Sequence, residues 1–81
     1  MPEAIVLVNT DIGSEEEVLN LLSTIDGVTE AYVVYGVYDL VIKVSAPTTE
    51  ELKDIISSRI RKLPKVRSTL TMIVVEGRTR K

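Results

Sequence analysis

The stretch Ala31-Tyr32-Val33-Val34-Tyr35-Gly36-Val37-Tyr38-Asp39-Leu40-Val41-Ile42-Lys43-Val44 decides how the chain reads. Two apolar runs rich in β-branched and aromatic residues flank Gly36, which is the pattern of a β-hairpin. The turn between them carries Tyr35, Tyr38 and Asp39 beside the glycine. Two aromatics and one carboxylate on a flexible backbone can form a small recognition loop.

On the N-terminal side, Ala4-Ile5-Val6-Leu7-Val8 is a continuous apolar run, expected to be a central strand buried on both faces. Ser14 with Glu17 three residues later reads as a capping box opening a helix. Val18, Leu21, Leu22 and Ile25 then recur at helical spacing and mark its buried stripe. Asp26-Gly27 should stop it, with Gly27 at the left-handed C′ position. The second strand is expected over 28–35 and the third over 40–45. On the C-terminal side Thr48 and Glu51 repeat the capping signal. Leu52, Ile55, Ile56, Ile60 and Leu63 give a second stripe, and Pro64 ends that helix. The fourth strand is expected over 66–75, with Thr69, Thr71, Ile73 and Val75 on one face and Leu70, Met72 and Val74 on the other. A polar, basic tail covers 77–81, after a single domain over 1–76.

The element order is β-α-β-β-α-β, the split βαβ plan of an α+β, ferredoxin-like sandwich. Right-handed crossovers put both helices on one sheet face and predict the strand order 4-1-3-2. The other face should be polar in a lone molecule, yet strands one, two and four still carry large apolar groups there. An apolar patch of that kind marks an interface, so a homodimer joined sheet to sheet is expected.

Eighty-one residues make one small domain. The chain has neither Cys nor His, which removes disulfides, thiolate metal sites and the usual general base. No catalytic residue, metal ligand or cofactor is assigned, and no phosphate or dinucleotide fingerprint is present. The net charge of −2 excludes binding to nucleic acid by bulk charge. No apolar run approaches the ~18 residues needed to span a bilayer, and a cytoplasmic protein is expected. The absence of Gln, with plentiful Ile, Val, Glu, Lys and Arg, leans towards a thermophilic source.

The β-α-β-β-α-β plan, the loop Gly36-Val37-Tyr38-Asp39-Leu40 and the run Val66-Arg67-Ser68-Thr69-Leu70-Thr71-Met72-Ile73-Val74 together resemble the ligand-binding (RAM) domain of the Lrp/AsnC family of transcription regulators. The resemblance implies a dimeric α+β barrel, one sheet packed on the other. It also implies higher assembly into a ring, octameric or decameric, and an amino acid effector bound between neighbouring dimers near the loop joining strands two and three. Full regulators of that family carry a helix-turn-helix domain before this region, whereas here the chain begins at the first strand. It therefore resembles the stand-alone version, for which direct DNA binding is not expected. Helix-turn-helix relatives are its implied partners, through mixed assembly in the control of amino acid metabolism.

The loop residues themselves carry a matching chemistry. Backbone N–H groups around Gly36 and Val37 can hold a carboxylate. Asp39 can counter an ammonium, or it can bond its own backbone as a turn residue. Tyr38 can wall a pocket, with Leu40 following it, while Tyr32 and Tyr35 read as sheet or interface packing. Thr69 and Thr71 either add hydroxyl contacts or stand there for β-propensity. Of ten Lys and Arg, eight lie from Arg59 onward, including Arg61 and Arg67; they read as a solvated helix end and tail. Two rival functions remain: a small dimeric α+β-barrel enzyme of the cofactor-free oxygenase type, and a nucleic-acid-associated assembly module using the basic end.

Overall fold

The computed structural model describes residues 1–80; Lys81, counted above with the basic tail, lies outside them. Strand β1 (Glu3–Thr10) leads to helix α1 (Glu15–Leu22), then to β2 (Val28–Val33) and β3 (Leu40–Ser45). Helix α2 (Thr49–Asp54) follows, with Ile55–Ile60 wound as a π-helix, and then β4 (Val66–Ile73). The sheet runs β2-β3-β1-β4, the order expected from right-handed crossovers, and every neighbouring pair is antiparallel.

Alternation along β1 divides the molecule. Ala4, Val6 and Val8 pair with Val44, Ile42 and Leu40 of β3, and all six are fully buried. Val18 and Leu22 of α1, with Leu52, Ile56 and Ile60 farther on, close over them as one core. Ile5 and Leu7 point the other way. They lie beside Val41 on β3 and opposite Met72 and Leu70 on β4. Tyr32, opposite Val41 on β2, joins this second face. Among the described residues nothing covers it: Tyr32 is 54% exposed, Leu70 46% and Met72 42%. Lys43 lies at one end of the face, within 3.7 Å of Glu3 and 3.8 Å of Glu30.

The two helix starts differ. Thr48 caps as expected, accepting from the Glu51 N–H at 3.1 Å. Ser14 does not: its side chain makes no cap bond and is buried. The Glu17 carboxylate instead holds the Lys65 ammonium at 2.9 Å. That partner, 48 positions away, outcompetes a local box with which it shares no sequence signal. The hydrogen bond raises the Lys65 pKa above its ordinary 10.5. The pair is therefore fully formed at neutral pH, and its contribution is lost only as pH rises through the folded-state value.

Helix and strand ends also move. Helix α1 stops at Leu22, so Gly27 is not its C′ residue but the last turn residue before β2. Strand β2 ends at Val33 and β4 at Ile73, leaving Val34, Tyr35, Val74 and Val75 outside them. The second helix is not uniformly α. The Ser57 hydroxyl donates to the Lys53 carbonyl at 2.9 Å, and the Arg61 N–H reaches the Ile56 carbonyl five residues back at 3.0 Å. The serine bond taps a helix carbonyl beside the wider winding; Ser23 makes the same bond to the Leu19 carbonyl at 2.8 Å at the end of α1, which stays α-helical.

Gly27 has φ +99°, and a β-carbon there would lie 2.8 Å from Ile55 Cδ1 and 3.0 Å from the Ser45 carbonyl oxygen. That carbonyl belongs to a strand and cannot swing aside. Gly27→Ala is expected to destabilise the fold by about 1–3 kcal/mol, read as a lower urea midpoint with an unchanged slope.

Candidate functional site

The β2–β3 connection is longer than a hairpin tip. The Val34 N–H donates to the Asp39 carbonyl at 2.8 Å and closes a loop over residues 34–39. Gly36 and Val37 are exposed at its tip, and Tyr35 is fully exposed. Tyr38 and Asp39 are half-buried. Leu40 points into the core with no exposed surface, so it can offer a site only its main chain.

Asp39 neither bonds its own backbone nor stands free. Its Oδ2 accepts from the Thr10 N–H at 2.9 Å and from the Thr10 hydroxyl at 3.4 Å. The Asp39 N–H in turn donates to the Val8 carbonyl at 3.0 Å. The carboxylate thus ties the loop to the end of β1, across 29 positions of chain. Its Oδ1 has no partner among the described residues.

Thr69 and Thr71 share the helix-facing side of β4, opposite Val8 and Val6. Thr69 Oγ1 accepts from Arg61 Nε at 3.2 Å. Thr71 Oγ1 is buried without a hydrogen-bond partner.

Three open clefts connect these positions. Asn9, Thr10, Asp39, Arg67 and Ser68 line a polar one of about 460 Å³. Arg61, Val66, Arg67, Ser68 and Thr69 line the next, of about 300 Å³. Lys53, Ile56, Ser57, Arg61, Thr71 and Ile73 line the third, of about 280 Å³. Arg67 and Ser68 are common to the first pair and Arg61 to the second, so the three lie in a row along edge strand β4, and the row is termed the trough. Asp39, Thr69 and Thr71 stand at successive stations of it. Gly36, Val37 and Tyr38 line none of these clefts. Sequence reasoning missed Asn9, Thr10, Arg61, Arg67 and Ser68 as lining residues. The β1–β4 register, Asn9 opposite Ser68 and Val8 opposite Thr69, is the signal that would have brought them together.

The basic residues of the C-terminal half do not gather on one surface. Lys65 pairs with Glu17, Arg78 with Glu76 at 3.2 Å, and Arg67 lies 3.9 Å from Asp11. Arg59 lines a separate cleft with Asp26, Glu50, Glu51 and Asp54. Among the described residues no helix is long and apolar enough to cross a membrane.

A model of the Lrp/AsnC ligand binding domain matches residues 3–80. The chain belongs to the Lrp/AsnC ligand-binding domain family. It is similar to FFRP-DM1, whose crystal structure superposes with a TM-score of 0.89 at 44% identity, over 93% of this chain and 100% of that one. It is 34% identical to the uncharacterized HTH-type transcriptional regulator PF0250 of Pyrococcus furiosus, over 86% of this chain and 49% of the regulator. It is also 41% identical, over 91% of its length, to a stretch making up 16% of a homocitrate synthase of Saccharolobus islandicus. The domain thus spans about half of one curated relative and a small part of the other. Family membership and the four-stranded antiparallel sheet with its two helices make it a ligand-binding-type domain of ferredoxin-like fold.

The Asp39 anchor can be tested on its own. Asp39→Ala leaves the Thr10 N–H without its acceptor and is expected to cost about 1–3 kcal/mol. Asp39→Asn keeps an acceptor oxygen and should cost less, both read from urea unfolding curves.

Proposed function

We propose that this domain is a non-enzymatic effector-binding and assembly module that senses an amino acid or a similar small molecule at a junction between copies. One juxtaposition carries the reading: a polar trough with opposite charges, Asp39 and Arg67, beside a sheet face left apolar and bare. A zwitterion offers an ammonium to the Asp39 carboxylate and a carboxylate to the Arg67 guanidinium, both by charge-assisted hydrogen bonds. The loop tip at Gly36 and Val37, with Tyr38 behind it, would close the site from a neighbouring copy, and Thr69 and Thr71 would add hydroxyls along the trough.

Assembly follows from the bare face. Ile5, Leu7, Tyr32, Val41, Leu70 and Met72 form a patch that two copies can hide by packing sheet on sheet. A dimer made this way leaves the trough on its outside, free to meet another dimer and build a ring. A ligand bound between dimers then shifts the assembly equilibrium by its differential affinity for the joined state. Helix-turn-helix relatives of the same fold are the partners this supports, by mixed assembly.

The homocitrate synthase stretch favours a second target for the same sensor, an enzyme of amino acid synthesis in place of a promoter-bound regulator. Co-purification of the domain with such an enzyme, and an effector-dependent change in that enzyme's rate, would separate the two.

Leu70→Lys puts a charge in the middle of the patch, at a position nearly half exposed in the single chain. It is expected to leave the circular dichroism unchanged and convert the assembly to monomers in sedimentation velocity. A wild-type chain that already sediments as a monomer would overturn the assembly reading. A calorimetric screen of the common amino acids that finds no binding at millimolar concentration would overturn the sensor reading.

A further inference from the structure

The trough holds more positive charge than a neutral amino acid needs. A zwitterion is matched by one carboxylate and one cation, and Asp39 and Arg67 supply them. Farther along, Arg61 and Lys53 are added, while no carboxylate lines the second or third cleft among the described residues. The charge is sorted by side: Glu50, Glu51 and Asp54 of the same helix line the cleft on its other flank, with Arg59. Thr71 Oγ1 in the third cleft is buried and lacks a partner. The hydroxyl lies beneath the cleft surface, so a ligand oxygen reaches it by a turn of the threonine side chain, a turn that satisfies the buried group and that the adjoining cations favour by drawing in an anion. The π-helical stretch supplies Ile56 and Ser57 to the same wall, and such windings recur at functional sites.

We propose that the effector is an amino acid with an anionic side chain, its second carboxylate held by Arg61 between the hydroxyls of Thr69 and Thr71. The inference rests on the effector-binding reading above and names the ligand class of that site. Arg61 is the pivot because it lines both clefts and already donates to Thr69 through Nε, which orients its guanidinium along β4. Thr69 and Thr71 are two residues apart on one strand face, about 7 Å by strand rise. That spacing lets the two oxygens of one carboxylate face both hydroxyls, and Lys53 adds a second cation to the same cleft.

The test is calorimetry on the full chain with aspartate, glutamate and 2-aminoadipate against the neutral amides asparagine and glutamine, with inorganic phosphate as a plain anion. The expected result is at least ten-fold tighter binding of an acid than of its amide. Arg61→Gln should erase that preference, whereas Arg59→Gln, which removes the same charge from the other flank, should keep it. Thr71→Val should raise the urea midpoint, because it deletes an unsatisfied hydroxyl, and yet weaken the acid more than the amide. It also carries the test, with Lys53→Gln, if Arg61→Gln fails to fold. An amide bound as tightly as its acid overturns this inference and leaves the sensor standing. Phosphate bound as tightly as glutamate overturns it in favour of a general anion site. Binding of no amino acid at all overturns both.

Discussion

Strand β1 is apolar on both faces, and the two helices can cover only one of them. That constraint organises the molecule. Ala4, Val6 and Val8 commit one face to the core, where Leu40, Ile42 and Val44 meet them in register. Ile5 and Leu7 are thereby committed to the opposite side, because a strand has a period of two and one residue of slip would exchange the faces. The chain cannot bury both sets by itself at this size, since a small domain hides only part of its surface. The cost of the bare face is offset only if another surface covers it.

The same register builds the trough. With β1 fixed between β3 and β4, Val8 lies opposite Thr69 and Asn9 opposite Ser68. The Asp39 N–H bonds the Val8 carbonyl while its carboxylate caps the Thr10 N–H. The end of β1 is therefore the point from which both the loop and β4 are positioned. Asp39 has a structural duty through Oδ2 and a free oxygen for other work. The ion pairs around this region, Arg67 with Asp11 and Lys65 with Glu17, are exposed and add little to stability.

Element existence, order and sheet topology were legible because each rests on a local pattern. The stripes Val18/Leu22 and Leu52/Ile56/Ile60 have helical spacing, and the capping threonine Thr48 behaves as its sequence says. Side-chain partners and winding were less legible. Glu17 went to Lys65, 48 positions away, instead of to a capping box, and Ile55–Ile60 wound as a π-helix. At the site, Asp39, Thr69 and Thr71 were singled out by residue type, and the structure sets them along one trough. Leu40 was drawn into the core by the alternation that buries Ile42 and Val44. Arg61 and Arg67 passed for helix-end and surface charge, because nothing local distinguishes a solvated arginine from one lining a cleft.

Sequence alone determined the split βαβ plan, since hydrophobic periodicity acts within a few residues; the helices stop at Leu22 and Ile60, short of the expected signals at Gly27 and Pro64. It also determined that both sheet faces would be apolar, because alternation can be counted without coordinates. Only the tertiary structure decided that the Asp39 carboxylate spans to Thr10, that Lys53 and Arg61 line a cleft beside β4 while Arg59 lies with Glu50, Glu51 and Asp54, and that the Thr71 hydroxyl is buried without a partner. Those are pairings between distant parts of the chain. Their energies depend on distance and burial, and neither is set until the strands have taken their register.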